Sequence, residues 1–196
     1  MIIVGLTGSI GTGKSTTAGM FRDMGIPVHD ADAVVHDLYR GEAALAVAAA
    51  FPGVLHDGAI DRKLLSATLA DDPAGFKRLE AIIHPLVRRK EQEFLSRQRA
   101  AGVPIVVLDI PLLFETGGEK RVDTIVVVSC DPEIQRQRVL SRPEMTEEKF
   151  QLLLSRQIPD REKRDRADFV VDSGKGLEDA REQVKEIVRT IAKAKG

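Results

Sequence analysis

Residues 8 to 15 read Gly-Ser-Ile-Gly-Thr-Gly-Lys-Ser and satisfy the spacing G-x-x-x-x-G-K-[ST] at every required position. Such a segment binds phosphate through its backbone. Glycines let successive N–H groups turn inward toward an anion, and the N-terminus of a following helix adds positive potential. In this pattern Lys14 reaches the β- and γ-phosphates and the Ser15 hydroxyl ligates Mg²⁺, so Gly8, Ser9, Ile10, Gly11, Thr12, Gly13, Lys14, Ser15 and Thr16 are the expected nucleotide-binding set. The flanks agree with the motif. Ile2-Ile3-Val4-Gly5-Leu6 is a short apolar run suited to a buried strand, and Ala18, Phe21 and Met24 recur at helical spacing after Ser15. The segment is therefore predicted to hold a nucleoside triphosphate.

Acids stand where phosphoryl transfer would use them. Asp30-Ala31-Asp32 follows the weaker strand candidate Pro27-Val28-His29. Asp30 suits the N-cap of a helix that starts at Ala31. Asp32 has two readings: a carboxylate that accepts a proton from an attacking hydroxyl or helps hold Mg²⁺, and a solvated first-turn acid favoured by the helix dipole. Asp109 ends the apolar run Ile105–Leu108, the place where an acid assists Mg²⁺ binding, directly or through water, although strands end in acids for other reasons too. Beyond it, Ile110-Pro111-Leu112-Leu113-Phe114-Glu115 lies at a strand's carboxyl end, where α/β sheets bind ligands, and divides between core packing and a ligand wall.

Arginines supply the complementary charge. Arg138 and Arg142 share a helix face with Arg136 nearby, and Pro143 forces Arg142 to a helix end from which it can swing inward. Residues 131–166 hold nine basic and eight acidic side chains, so most of their charges belong to a solvated, locally paired face, and Arg142 is the main candidate for the phosphoryl group. His84, before Pro85 at an expected helix start, is either a capping or buried residue or part of a site. His29, His36 and His56 lack metal-ligand spacing, so no zinc site is expected.

These residues need a scaffold, and the pattern of elements describes one. Ile105–Asp109, Thr124–Val128 and Phe169–Val171 join the first run as short β-branched strands alternating with helices, which implies a parallel α/β sheet covered on both faces. A last helix carries Leu177, Ala180, Val184, Ile187, Val188 and Ile191 as one stripe. Residues 31 to 103 interrupt the alternation with no convincing strand and read as helices broken at Gly41, Pro52-Gly53, Asp57-Gly58, Asp72-Pro73 and His84-Pro85. Residues 131–166 read as two helices around Arg142-Pro143.

Composition bounds the partners. A chain of 196 residues, 43% hydrophobic and 30% charged, has the make-up of a soluble globular protein, and a net charge of −1 offers no global field for nucleic acid or an anionic membrane. One tyrosine and no tryptophan leave little for base stacking. Cys130 is alone, so there is no intrachain disulfide framework. The apolar N-terminal run enters the phosphate loop directly, with no basic segment before it, and no run approaches a membrane span. A cytoplasmic monomer or weak homo-oligomer is expected. The guanine signature Asn-Lys-x-Asp is absent, which argues against a GTPase switch; a nucleoside or nucleotide kinase of the same architecture is the nearer rival.

The chain resembles the dephospho-CoA kinase family. The likeness rests on Gly5–Gly8 leading into the phosphate loop, Asp30-Ala31-Asp32, Asp57-Gly58 with Asp61-Arg62 and Leu65, His84-Pro85, and Pro111-Leu112-Leu113-Phe114-Glu115. Arg142 with Met145-Thr146, Gln157 and Ala167-Asp168 extend it. The resemblance implies a P-loop NTPase-type five-stranded parallel sheet flanked by helices, formed by 1–30, 104–130 and 167–196. To this it adds a helical substrate-binding insertion at 31–103 and a helical lid at 131–166. It implies ATP as co-substrate, Mg²⁺, and phosphorylation of the ribose 3′-hydroxyl of dephospho-CoA. By position, Asp32 matches the residue that activates the hydroxyl, Arg142 the lid arginine, and His84, Pro111 and Leu112 the neighbourhood of dephospho-CoA. One position departs from the family pattern: Asp172 is followed by Ser173 where an asparagine is usual.

Overall fold

A computed structural model of the chain describes residues 1–70 and 72–193, with Pro73 described by its backbone alone. Asp71 and residues 194–196, which fall in the expected 31–103 and 167–196 segments, lie outside the described residues. The chain divides into two compact units, one of residues 1–29 and 98–196 and the other of residues 30–97.

The first unit is built on a five-stranded sheet of β1 (Ile2–Gly8), β2 (Val28–Asp30), β5 (Ile105–Asp109), β6 (Thr124–Ser129) and β7 (Phe169–Asp172), in the order β2-β5-β1-β6-β7. β1 pairs in parallel with β5, Leu6 opposite Asp109, and with β6, Gly8 opposite Val128. Strands buried on both faces read as continuous apolar runs, which is why Ile105–Leu108 and Val126–Val128 carry no alternation. Because β1 sits centrally and its neighbours are reached by crossovers in both directions, its carboxyl end lies at the topological switch point where such sheets bind ligands. Helices α1 (Lys14–Asp23) and α9 (Leu177–Lys193) contribute Ala18, Met20, Phe21, Ala180, Val184, Ile187 and Ile191 to the core against Val4, Leu6, Val107, Val126 and Val128. The predicted stripe on α9 holds except at Leu177, which is exposed at the helix start.

Residues 131–166 form three helices rather than two: α6 (Pro132–Leu140), α7 (Glu147–Ser155) and α8 (Asp160–Asp165). The extra helix follows Pro159, with Asp160 and Glu162 in its first turn and Lys163 and Arg164 in its last, the charge order a helix dipole favours. Lys163 is fully buried and pairs with Glu115 (3.0 Å), whose Oε1 also accepts the Ile158 N–H (2.9 Å). Arg166 lies over the Phe114 ring at 4.3 Å. The segment Phe114-Glu115 thereby anchors the carboxyl end of residues 131–166.

The second unit holds α2 (Ala31–Tyr39), α3 (Ala44–Ala50), β3 (Leu55–His56), β4 (Ala59–Ile60), α4 (Arg62–Ala70) and most of α5 (Pro73–Ala100). It departs from expectation twice. β3 and β4 make a two-residue hairpin about Asp57-Gly58, both with positive φ (49° and 77°), a turn chemistry suited to hairpins; strands this short leave no periodicity. Nor does the helix break at His84-Pro85, since Pro85 lies inside α5. Proline removes one hydrogen bond there, but Leu79, Ile82, Ile83, Leu86 and Val87 pack against Leu38, Val47, Phe51 and Leu65 on either side of it, and that burial carries the helix through. Among the described residues no helix is long and apolar enough to cross a membrane.

Removing one partner of a buried ion pair strands the other. Lys163→Met is expected to cost about 3 kcal/mol in urea unfolding, and adding Glu115→Gln, which keeps the acceptor for Ile158, to recover more than half of that loss.

Candidate active site

The phosphate loop joins the end of β1 to the start of α1, and its shape is held from several sides. Gly13 adopts a left-handed conformation (φ 94°) that aims the first N–H groups of α1 outward, and the first turn of α1 carries no acid to compete with an anion. Gly11 is also left-handed (φ 81°), and a Cβ there would stand 2.4 Å from the Val139 side chain of α6. Ser9 accepts both the N–H and the hydroxyl of Thr12 at its carbonyl (3.2 and 2.9 Å), closing the loop on itself. Ser173, the residue that departs from the family pattern, donates its hydroxyl to the Thr12 carbonyl (2.6 Å) and accepts from Arg138 (2.8 Å). Arg138 also donates to the Ser173 carbonyl (2.9 Å), so this arginine braces the loop's outer wall.

Lys14 opens α1, and its Nζ lies 2.5 Å from Oδ1 of Asp109. Asp109 is only 2% exposed, held by its place at the carboxyl end of β5 beside Leu6. The pair gathers a cation and a carboxylate at the end of the sheet. Ser15 and Thr16 are exposed in the next positions of the helix. The Thr7 hydroxyl donates to the Pro111 carbonyl (3.0 Å), and Ile110 donates its N–H to Leu6, fixing the turn after β5. Leu112 projects from that turn with 40% of its surface exposed, while Leu113 and Phe114 are buried.

Arg142 follows α6 and is exposed. It lines a cavity of about 300 Å³ together with Gly11, Gly13, Thr16, Arg138 and Ser173. The first unit therefore brings together the phosphate loop, Lys14, Asp109 and Arg142. Arg136 instead pairs with Glu147 (2.9 Å) on the surface.

In the second unit, Asp30 caps α2 by accepting the Ala33 N–H (3.0 Å). Asp32, one residue inside α2, is exposed and lines a cleft of about 530 Å³ with His36, Tyr39, Arg62 and Phe76. Burial pushes the Tyr39 phenol above its ordinary range, with the Arg62 charge pulling partly back. His84 stands midway along α5, not at a helix start, on an exposed depression shared with Lys77, Pro85 and Arg88. Asp32 and His84 thus line different depressions.

Sequence reasoning missed Arg62 and Phe76 beside Asp32, and the bracing of the loop by Ser173 and by two glutamines described below. The Asp61-Arg62 pair stands in the sequence as part of the family likeness, but contacts spanning well over a hundred residues, such as Ser173 to Thr12, leave no spacing to read. Among the described residues there is no group of three or more His, Cys, Asp or Glu side chains able to hold a metal ion. Cys130 is half-buried, and desolvation pushes its thiol pKa up, the opposite of what a nucleophile needs.

Comparison with known proteins gives one answer. The family model for dephospho-CoA kinase matches residues 2–179. A dephospho-CoA kinase of Rhizobium etli is 62% identical over 97% of this chain and 94% of its own length, and one of Mesorhizobium japonicum is 59% identical over 100% of both. Among solved structures, TT1252 from Thermus thermophilus superposes with a TM-score of 0.86 at 37% identity, covering 96% of each chain. A dephospho-CoA kinase from Campylobacter jejuni superposes with a TM-score of 0.75 at 25% identity, covering 99% of this chain and 98% of its own. A shikimate kinase from Acinetobacter baumannii (TM-score 0.54, 18% identity, 100% and 95% covered) shares the fold.

The contact between Gly11 and Val139 predicts a repairable defect. Gly11→Ala is expected to weaken ATP binding at least about tenfold, and Val139→Ala to restore part of it by removing the clash while the left-handed strain stays. Isothermal titration of the single and double variants with ATP measures both effects.

Proposed function

This chain belongs to the dephospho-CoA kinase family, and we propose that it transfers the terminal phosphoryl group of ATP to the ribose 3′-hydroxyl of dephospho-CoA, giving CoA and ADP in the last step of coenzyme A biosynthesis. The observation that carries the reading is the family match over residues 2–179 of a chain whose phosphate loop is fully formed, with Lys14 and Asp109 paired beside it.

Phosphoryl transfer asks a protein for positioning and for charge, and little covalent chemistry. The N–H groups of Gly11 to Ser15 cradle the phosphates. Lys14 turns from Asp109 toward the β- and γ-phosphates, and Arg142 meets the charge that spreads over the transferring group. Asp32 orients the 3′-hydroxyl and accepts its proton as the new P–O bond forms and the bond to the ADP oxygen breaks. Leu112, Pro111 and His84 contact dephospho-CoA, and residues 131–166 act as a lid that excludes water.

Mg²⁺ suits this donor set. The Ser15 hydroxyl and the Asp109 carboxylate would hold it, hard oxygen donors of the kind a small hard cation takes together with phosphate. When bound, it neutralises phosphate charge. We place the enzyme in the cytoplasm as a monomer or weak homo-oligomer, with ATP and dephospho-CoA as its partners and no nucleic acid.

The reading is tested by ADP release with ATP, Mg²⁺ and dephospho-CoA, beside adenosine, AMP and CMP as acceptors. Formation of CoA, identified by mass, is the expected result; turnover with a mononucleotide alone would overturn the acceptor. Asp32→Asn is expected to lower kcat by about 10²-fold or more with little change in ATP affinity or melting temperature, and a folded variant with near-normal turnover would remove Asp32 as the base. With both ligands bound, backbone hydrogen exchange over residues 136–160 is expected to slow; unchanged exchange would argue against closure there.

A further inference from the structure

Ile10 lies in the phosphate loop, and its N–H and its carbonyl, which belong to the successive peptide units Ser9–Ile10 and Ile10–Gly11, are both taken by side chains from residues 131–166. The Ile10 N–H donates to Oε1 of Gln157 (3.1 Å), and the Ile10 carbonyl accepts from Nε2 of Gln135 (2.6 Å). Gln135 is buried in the middle of α6, and Gln157 is held just beyond α7 by its own N–H bond to Leu154 (3.0 Å). The two glutamines come from different elements, 22 positions apart in sequence, and converge on one residue.

The amide orientations follow from the partners. An N–H faces Gln157, so an oxygen must point at it; a carbonyl faces Gln135, so an NH₂ must point at it. The two bonds fix the two peptide planes that flank the Ile10 Cα, so turning either plane breaks one of them. The Ile10 carbonyl shares its peptide unit with the Gly11 N–H, and Gly11 packs against Val139 and the Gln135 backbone, so a change in the tilt of α6 is felt directly in the loop.

We propose that Gln135 and Gln157 are positioning residues for the nucleotide: they set the two peptide planes on either side of Ile10 so that the loop is receptive before ATP arrives, and they link the seating of residues 131–166 to the state of the loop. The inference rests on the proposed function only in taking ATP as the loop's ligand. The two positions have opposite requirements. Position 157 needs an acceptor, and position 135 needs a donor.

Four variants separate this role from space filling and from charge. Gln135→Met and Gln157→Met keep length and lose the polar group. Gln135→Glu and Gln157→Glu add the same charge, but the first turns an oxygen toward a carbonyl and the second keeps the acceptor. The readouts are the ATP dissociation constant without acceptor, KM and kcat with dephospho-CoA, and exchange of the Ile10 amide in the nucleotide-free protein. Each Met variant is expected to weaken ATP binding about tenfold, with KM for ATP rising and KM for the acceptor changing less than about twofold. Gln135→Glu should bind ATP at least about tenfold more weakly than Gln157→Glu. The Ile10 amide should exchange faster in Gln157→Met and keep its protection in Gln157→Glu.

Met variants that bind ATP as the parent does, or Glu variants that lose affinity equally, would overturn the proposal. If the Met variants fail to fold, the comparison of the two Glu variants decides alone. A parent that binds ATP but does not phosphorylate dephospho-CoA would instead refute the functional reading and leave the glutamine result standing.

Discussion

A loop that points its backbone N–H groups inward at an anion must satisfy its other polar groups from outside, and this constraint organises the first unit of the chain. Before any phosphate arrives, turned peptides have no ladder to join, and each group left unpaired in a half-buried site costs on the order of 1–3 kcal/mol. Here the Ser9 carbonyl is closed by Thr12, the Ile10 carbonyl by Gln135, the Ile10 N–H by Gln157, and the Thr12 carbonyl by Ser173. The donors come from the loop itself, from two places in residues 131–166 and from the turn after β7. Elements distant in sequence are needed because a glycine-rich turn has few side chains of its own to spend on its backbone.

Charge is handled in the same way. Lys14 without phosphate is a cation at a half-buried site, and Asp109, almost wholly buried, receives it at 2.5 Å. Such a pair spares each partner an uncompensated charge while remaining exchangeable, since a triphosphate offers Lys14 a stronger anion. The Arg138 contact to Ser173 has a different character. With its guanidinium committed to the Ser173 hydroxyl and carbonyl, Arg138 serves the wall of the cavity, and Arg142, exposed on the rim of the same cavity, is the arginine that the proposed reading turns to the ligand. On that reading two arginines four residues apart divide between structure and binding, a distinction their spacing alone does not make.

What was legible in the sequence were the features whose physics is local. The phosphate-loop motif, the β-branched strands and the α9 stripe are each spelled by residues within one turn, one strand or one helix, and all stand where the pattern put them, Leu177 apart. The Asp30 cap is local as well. What was not legible depended on partners. Pro85 reads as a break until Ile83, Leu86 and Val87 are seen packed on the second unit's core. The α8 helix is six residues long, too short to show a period, and exists with Lys163 fixed on Glu115. The bracing glutamines look like any polar residue in a charged segment.

The same division explains where acceptor specificity must be sought. Phosphate loop, sheet and paired Lys-Asp deliver the nucleotide's phosphates, and the shared fold of a shikimate kinase shows that this scaffold alone does not name an acceptor. Discrimination therefore has to come from side chains that are not needed to build the loop. The cleft around Asp32 has the right composition for a large, charged, partly apolar acceptor. Arg62 and His36 offer hydrogen bonds to phosphate, Phe76 is 40% exposed, and Tyr39 adds a phenolic hydroxyl. A site built to hydrogen-bond a particular acceptor rejects one lacking those groups far more strongly than an apolar pocket rejects a missing methylene. On the proposed reading, preference for dephospho-CoA over a mononucleotide should accordingly reside in Arg62, Phe76 and their neighbours, and changes there should alter acceptor choice while leaving the ATP half of the reaction intact.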